Sequence, residues 1–252
     1  MGFAVAAEAY DRFMGRYSVP LANQFADFAL VAHPQRVADI GCGPGALTAE
    51  LAKRLGTGAV SAVDPSEQFV TAARQRFPEV DIQKASAEEL PFEDGVFDTT
   101  LAQLVVHFMA DAVKGLGEMK RVTRAGGTVG ACVWDHAGEK GPLHVFWQAA
   151  RQLDPEAPDE SELAGAREGH LVELFREAGL ATVEHDALTV AVEHPSFEEW
   201  WEPFTLGVGP AGEHVVALDS ERQSELRELC QRMLGPAPFT ISATAWAAKG
   251  KA

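Results

Sequence analysis

One short segment constrains this chain more than any other: Asp39-Ile40-Gly41-Cys42-Gly43-Pro44-Gly45-Ala46. The apolar run Val37-Ala38-Asp39-Ile40 reads as a short buried strand. After the glycines, Leu47, Leu51 and Leu55 repeat at i, i+4 and i+8, and Gly56 stands as a stop, so the pattern predicts a helix over 46–55. Alternating glycines let the backbone turn sharply and let a ligand lie directly against it. The helix start offers free N–H groups. A second strand, 59–64, ends in Asp64, where a carboxylate is placed to hold both hydroxyls of a ribose. A strand, a glycine loop, a helix and a ribose acid together point to a cofactor that contains a nucleotide.

The alternation continues. Ser66 is placed to cap a helix carrying Phe69, Ala73 and Phe77, and Val80–Lys84 and Phe97–Ala102 read as strands. Asp111 caps a helix ending near Thr123, and Ala125-Gly126-Gly127 turns into a fifth strand, Thr128–Trp134. Strands separated by helices imply a parallel sheet with helices on both faces, an α/β doubly wound architecture. The second half is less regular. Leu171, Leu174, Phe175 and Ala178 predict a helix stopped by Gly179, and Thr182–Val192 and Phe239–Ala247 read as strands. Ser220-x-x-Gln223 reads as a capping box opening a helix with Leu226, Leu229, Met233 and Leu234 inward. The first 30 residues look helical, with Phe25, Phe28 and Leu30 as packing residues. The segment of about 193–237 is too long for a hairpin loop and reads as an insertion, with Trp200, Trp201 and Phe204 as a lid or pocket wall.

Charge narrows the function. Lys and Arg number 21 against 37 Asp and Glu, a net charge of −16. Such a field repels phosphate backbones and anionic membranes, so a small molecule is the expected partner, with no nucleic acid and no membrane. No apolar run is long enough to cross a bilayer, and Met1-Gly2-Phe3-Ala4-Val5-Ala6 lacks the basic start of a secretory signal. Cys42, Cys132 and Cys230 are odd in number and far apart, a pattern of neither a disulfide framework nor a metal pair. The expectation is a cytoplasmic protein without a metal.

The loop alone leaves the cofactor open. Gly41-x-Gly43-x-x-Ala46 also satisfies a dinucleotide fingerprint. Asp39 argues against it, because a carboxylate beneath the loop disfavours pyrophosphate and favours a ligand with a positive amino group. Pro44-Gly45 also breaks the usual run into the helix, and no second mononucleotide half follows.

Several motifs in order, over roughly residues 10–134, resemble the class I S-adenosylmethionine-dependent methyltransferases, in the small-molecule branch of the ubiquinone and menaquinone biosynthesis enzymes. They are the glycine loop Val37–Gly45, the ribose acid in Ala62-Val63-Asp64-Pro65-Ser66, the segments Ala85–Phe92 and Asp94–Asp98, and the helix and turn from Leu116 to Gly127. The resemblance implies a Rossmann-like sheet of seven strands, mostly parallel, with an antiparallel last strand and helical lid insertions. It implies a single domain over 1–252, with a helical cap at 1–34, a cofactor core at 35–134 and lid or substrate insertions at 135–168 and 193–237.

The same resemblance implies S-adenosyl-L-methionine as cofactor, and roles residue by residue. Asp39 is expected near the methionine amino group, with Gly41, Cys42 and Gly43 giving backbone contacts and Asp64 holding the ribose. Pro65 and Phe69 are expected to flank the adenine, with Ala87 and Glu88 at its edge, although Ser86 stands where the family often carries Asp. Gln103 and Leu104 are expected to face the methionine part. His107, His136 and Tyr10 are the candidate bases for the acceptor. Beside these stand plainer readings: His107 as a core histidine, His136 and His144 as solvated surface residues, Trp200-Trp201-Phe204 as core, and Asp154–Glu162 as a solvated acidic loop. The methyl acceptor and the oligomeric state are not legible. Two alternatives remain, an NAD(P)-dependent oxidoreductase and a protein that binds S-adenosylmethionine without turning it over.

Overall fold

The computed structural model describes residues 11–157, 160–207 and 209–252. Strands β1 (Val37–Ile40), β2 (Val60–Asp64), β3 (Asp81–Lys84), β4 (Phe97–Gln103), β5 (Thr123–Trp134), β6 (Ala181–His194) and β7 (Phe239–Lys251) form a seven-stranded sheet in the order β3-β2-β1-β4-β5-β7-β6. β1 pairs in parallel with β2 and β4, β2 with β3, and β4 with β5. β7 runs antiparallel to both β5 and β6, so the last strand is the reversed one. β1 and β2 are buried at every position, as strands covered on both faces must be.

Helices cover the two faces. α1 (Arg16–Phe28), α2 (Ala46–Leu55) and α3 (Glu67–Arg76) pack on one side, with Leu21, Phe25, Leu51 and Val70 fully buried. α4 (Ala112–Val122) and α6 (His170–Glu177) pack on the other, through Leu116, Met119 and Phe175. The caps of α3 and α4 are those the sequence predicts: Ser66 Oγ accepts the Phe69 N–H, and the Asp111 carboxylate accepts the Lys114 N–H. α5 (His144–Leu153) follows β5. Between β6 and β7 the chain makes a helical excursion through α7 (Phe197–Trp201), a 3-10 turn (Glu202–Leu206), α8 (Gly209–Ala217) and α9 (Ser220–Leu234). Its rings close a seam with α5: Phe146 stacks on Phe204 at 4.6 Å, and Phe13 meets Phe204 edge-on at 5.0 Å.

Several local expectations are corrected. Ala125-Gly126-Gly127 does not precede β5 but bulges out of it, since Phe97 pairs with Thr123 and Thr99 already with Thr128. Leu30 is 68% exposed at a left-handed turn after α1, and Ala29 and Val31 take the buried places. Met233 is 40% exposed, whereas Cys230 points inward with Leu226 and Leu229. The cap of α9 is Asp219, whose carboxylate accepts the Arg222 N–H at 2.9 Å, with Ser220 already inside the helix. Gln223 does not reach back to the cap. Its amide donates to the carbonyls of Val215 and Leu218 and closes the end of α8. Asp219→Ala is therefore expected to cost about 1 kcal/mol of stability in denaturant unfolding, while Ser220→Ala costs a few tenths at most. Equal losses would restore Ser220 as the cap.

Candidate functional site

The strand order reverses between β1 and β4, and a cleft of about 760 Å³ opens where their carboxyl ends diverge. Its floor is the glycine loop. The N–H groups of Gly41 and Cys42 both donate to the Val63 carbonyl, at 2.8 and 2.9 Å, and draw the loop across the end of β2. Gly41 sits at φ +73°, and a Cβ there would lie 2.5 Å from the Val105 methyls. Gly43, at φ +53°, faces open space in the cleft wall, where a Cβ would meet nothing within 4 Å. The Gly43 N–H donates to Asp64 Oδ2 at 2.9 Å, and the Ser66 N–H donates to Oδ1 at 2.8 Å. Burial holds the Asp64 carboxyl above the usual range, against the lowering effect of these two N–H donors. One carboxylate thus ties the glycine loop to the start of α3.

Asp39 lies beneath the loop, 1% exposed. The Thr48 hydroxyl donates to its Oδ2 at 2.6 Å, and Oδ1 accepts no hydrogen bond from the described residues. Burial pushes its carboxyl up to about 7, with Thr48 opposing and the Asp64 charge adding to the rise. Gln103, at the end of β4, donates to the Ser18 carbonyl at 3.0 Å and so binds α1 over the cleft, and its Oε1 takes no donor among the described residues. Leu104 follows in a left-handed conformation, φ +61°, with its N–H on the Cys132 carbonyl. Such a backbone is uncommon for a branched side chain. Cys42, Pro65 and Phe69 also line the cleft. Sequence reasoning missed Ser18 and Phe108, which line it from distant positions with no local signal.

Two expected residues stand elsewhere. Ala87 is buried in the core on the other face, and neither it nor Glu88 is among the residues lining the cleft. The Glu88 carboxylate accepts the N–H groups of Ala110, at 2.8 Å, and Asp111, and so anchors the loop that leads into α4.

A second chamber of about 500 Å³ adjoins the first, sharing Leu104 and Phe108 with it. His107 and His136 both line it, their ring centroids 5.9 Å apart. His107 is 9% exposed, its Nδ1 has no hydrogen-bond partner among the described residues, and burial pushes its imidazolium down to about 3, with the neighbouring His136 adding to the fall. His136 is not the solvated histidine its loop suggested, since its side chain is 8% exposed. Its Nδ1 lies 3.9 Å from Glu160 Oε2, which accepts the Trp147 indole N–H at 2.6 Å. Glu160 belongs to the stretch expected to be solvated, yet it is 7% exposed in the chamber wall. Tyr10 lies outside the described residues. Tyr17, one helical turn into the described segment, bonds His194 Nε2 at 2.8 Å. Arg16 can only donate to His194 Nδ1, so His194 Nε2 carries the proton toward Tyr17. Trp200, Trp201 and Phe204 line neither chamber and are core.

Known proteins match this arrangement. Residues 38–130 match the methyltransferase domain family. An uncharacterized methyltransferase of Mycobacterium tuberculosis is 35% identical over 140 residues, covering 56% of this chain and 54% of that one. A trans-aconitate 2-methyltransferase of Rhodopseudomonas palustris is 31% identical over 164 residues, covering 65% and 61%. The match therefore spans little more than half the length of these relatives. A putative methyltransferase of Bacillus halodurans, at 16% identity, superposes with a TM-score of 0.60 over 91% of this chain and 97% of that one, which is a likeness of fold. Residues 38–130 are thus similar to a methyltransferase domain, and the seven-stranded architecture has the fold of solved methyltransferases.

Proposed function

We propose that the chain transfers a methyl group from S-adenosyl-L-methionine to a small-molecule acceptor, with the cofactor in the first cleft and the acceptor in the second chamber. The observation that carries this reading is the unsatisfied acceptor pair in the cleft. Asp39 Oδ1 and Gln103 Oε1 are buried oxygens without donors among the described residues, on either side of a loop whose Gly43 offers open space. Buried polar atoms are rarely left unpaired, and an ammonium group offers the donors these two lack. Asp64 is placed to accept from ribose hydroxyls with the lone pairs its two N–H donors leave free. Phe69 and Pro65 give the apolar contacts a base needs.

Bound there, the cofactor would supply a sulfonium methyl group open to in-line displacement. The protein's own work is then alignment and exclusion of water, which in favourable cases is worth on the order of 7–11 kcal/mol. Leu104 and Phe108, common to both chambers, border the passage between them. His107 is a weak candidate base, because burial keeps its imidazole neutral and reluctant to take a proton. His136, with Nδ1 3.9 Å from Glu160 Oε2, is assigned as the base on geometry, and His107 is left to orient the nucleophile through Nδ1. No helix among the described residues is long and apolar enough to cross a membrane.

Calorimetric titration with S-adenosylhomocysteine tests the reading. Micromolar binding is expected, with none for NADH, and the reverse result would return the glycine loop to the dinucleotide enzymes. The pH dependence has a definite sign. Asp39 is largely protonated below its value of about 7, and an ammonium ligand requires the carboxylate. Affinity is therefore expected to fall by up to about tenfold per pH unit below 7 and to level off above it. Asp39→Asn is expected to bind weakly with a flat profile, and a retained slope would assign the titration to another group. The glycines separate folding from binding. Gly41→Ala is expected to destabilise the chain by about 1–3 kcal/mol in denaturant unfolding, through strain and the Val105 contact. Gly43→Ala is expected to cost only about 1 kcal/mol and yet weaken S-adenosylhomocysteine binding more than tenfold, because its methyl enters the cleft.

A further inference from the structure

The second chamber has a chemical character of its own. Its wall is mostly apolar, built from Phe13, Met14, Trp134, Leu143 and Pro210 together with the shared Leu104 and Phe108. The ionisable residues in it are His107, His136 and Glu160, and no lysine or arginine is among the described lining residues. Glu160 is buried, and its hydrogen bond comes from a neutral indole. The nearby guanidinium groups are committed elsewhere. Arg151, in the adjoining recess that also contains His136 and Glu160, pairs with Glu139 at 2.5 Å. Arg16 bonds His194 and Glu199, each at 3.0 Å.

We infer that this chamber takes an uncharged, largely apolar acceptor whose reacting group is a hydroxyl, held at His136 and Glu160, and that Glu160 turns carboxylate acceptors away. The inference rests on the proposed methyltransferase function and narrows it to a substrate class. A carboxylate entering the chamber would lose its hydration, meet no cation, and face the Glu160 charge in a medium that screens poorly. An ammonium group fares no better as the reacting group, because it has no free lone pair to attack the methyl carbon. A hydroxyl escapes both penalties. Its proton is shared with the Glu160–His136 pair, His107 Nδ1 is a further hydrogen-bond partner, and an aromatic or alicyclic body fits the apolar wall. On transfer, the hydroxyl oxygen forms the bond to the methyl carbon as the carbon–sulfur bond breaks. The proton passes to His136, and S-adenosylhomocysteine leaves neutral at sulfur. This chemistry separates the chain from the Rhodopseudomonas palustris relative, which is named for a tricarboxylate.

Three probes of one shape decide the matter: 4-phenylphenol, biphenyl-4-carboxylate and 4-phenylbenzylamine, titrated calorimetrically into the full chain saturated with S-adenosylhomocysteine. The phenol is expected to bind at least about tenfold more tightly than either charged probe. In Glu160→Gln, checked by thermal melting for folding, the carboxylate is expected to gain about tenfold while the phenol loses affinity. A carboxylate or an amine that binds as tightly as the phenol to the natural chain would overturn the inference, as would a chain that binds none of the three. These orders are read on the natural sequence, so they stand even where the variant does not fold. Failure of S-adenosylhomocysteine to bind is a separate result and overturns the methyltransferase reading itself.

Discussion

The reversal of strand order between β1 and β4 is the constraint on which the rest depends. Because β1, β2 and β3 are laid down in one direction across the sheet and β4 and β5 in the other, the loops after β1 and β4 leave toward opposite sides. A crevice at their carboxyl ends follows from connectivity alone. What the sequence adds is a loop that crosses this crevice without filling it. The Val63 carbonyl takes two successive N–H groups of the glycine loop, and the Asp64 carboxylate takes a third from Gly43. Three hydrogen bonds from one strand end thus fix a backbone that glycine alone adopts without strain. The cleft is open because its floor carries no side chain at Gly43.

Electrostatics then gives that crevice a sign. Asp39 lies close enough to Asp64 to feel its charge, both are buried, and neither has a lysine or arginine partner among the described residues. Two unpaired carboxyls in one cleft cost stability in the ligand-free protein, and their raised proton affinities express that cost. A cationic ligand removes it. The net charge of −16 and the local field of the cleft act in the same direction, against phosphates and toward positively charged ligands.

The features legible in the sequence are those written locally. The helix over 46–55, the caps Ser66 and Asp111, and the glycine loop each depend on residues within a turn or two of one another, and the structure has them as read. Errors arose where a distant contact decides. Ser220-x-x-Gln223 has the form of a capping box, but Asp219 is a better acceptor one residue earlier and Gln223 is drawn to the end of α8. His136 and Glu160 looked solvated because their neighbours in sequence are polar. They are buried because Trp147 and the helical excursion after β6 cover them. Glu88 sits in the motif expected beside the adenine, yet its carboxylate is used by the backbone of Ala110 and Asp111. A motif places a residue in a loop, and the tertiary contacts choose the direction in which it points.

The two chambers differ for the same reason. The first is assembled mainly from the ends of β1, β2 and β4, which the sheet register holds in fixed relation. The second draws on the segment before α1, the turn after β4, the loop after β5, the approach to Glu160 and the start of α8. Strand pairing ties only the ends of β4 and β5, with Gln103 opposite Cys132 and Trp134 opposite Ala245 on β7, and it does not join the other pieces. Ring packing does, through Phe13, Phe146, Trp200 and Phe204. Packing constrains volume and polarity more loosely than a ladder constrains backbone position. Such a wall can change its polarity by single substitutions, Glu160 among them, while the first cleft stays as the sheet holds it. The part of this protein hardest to read from sequence is thus the chamber proposed for the acceptor.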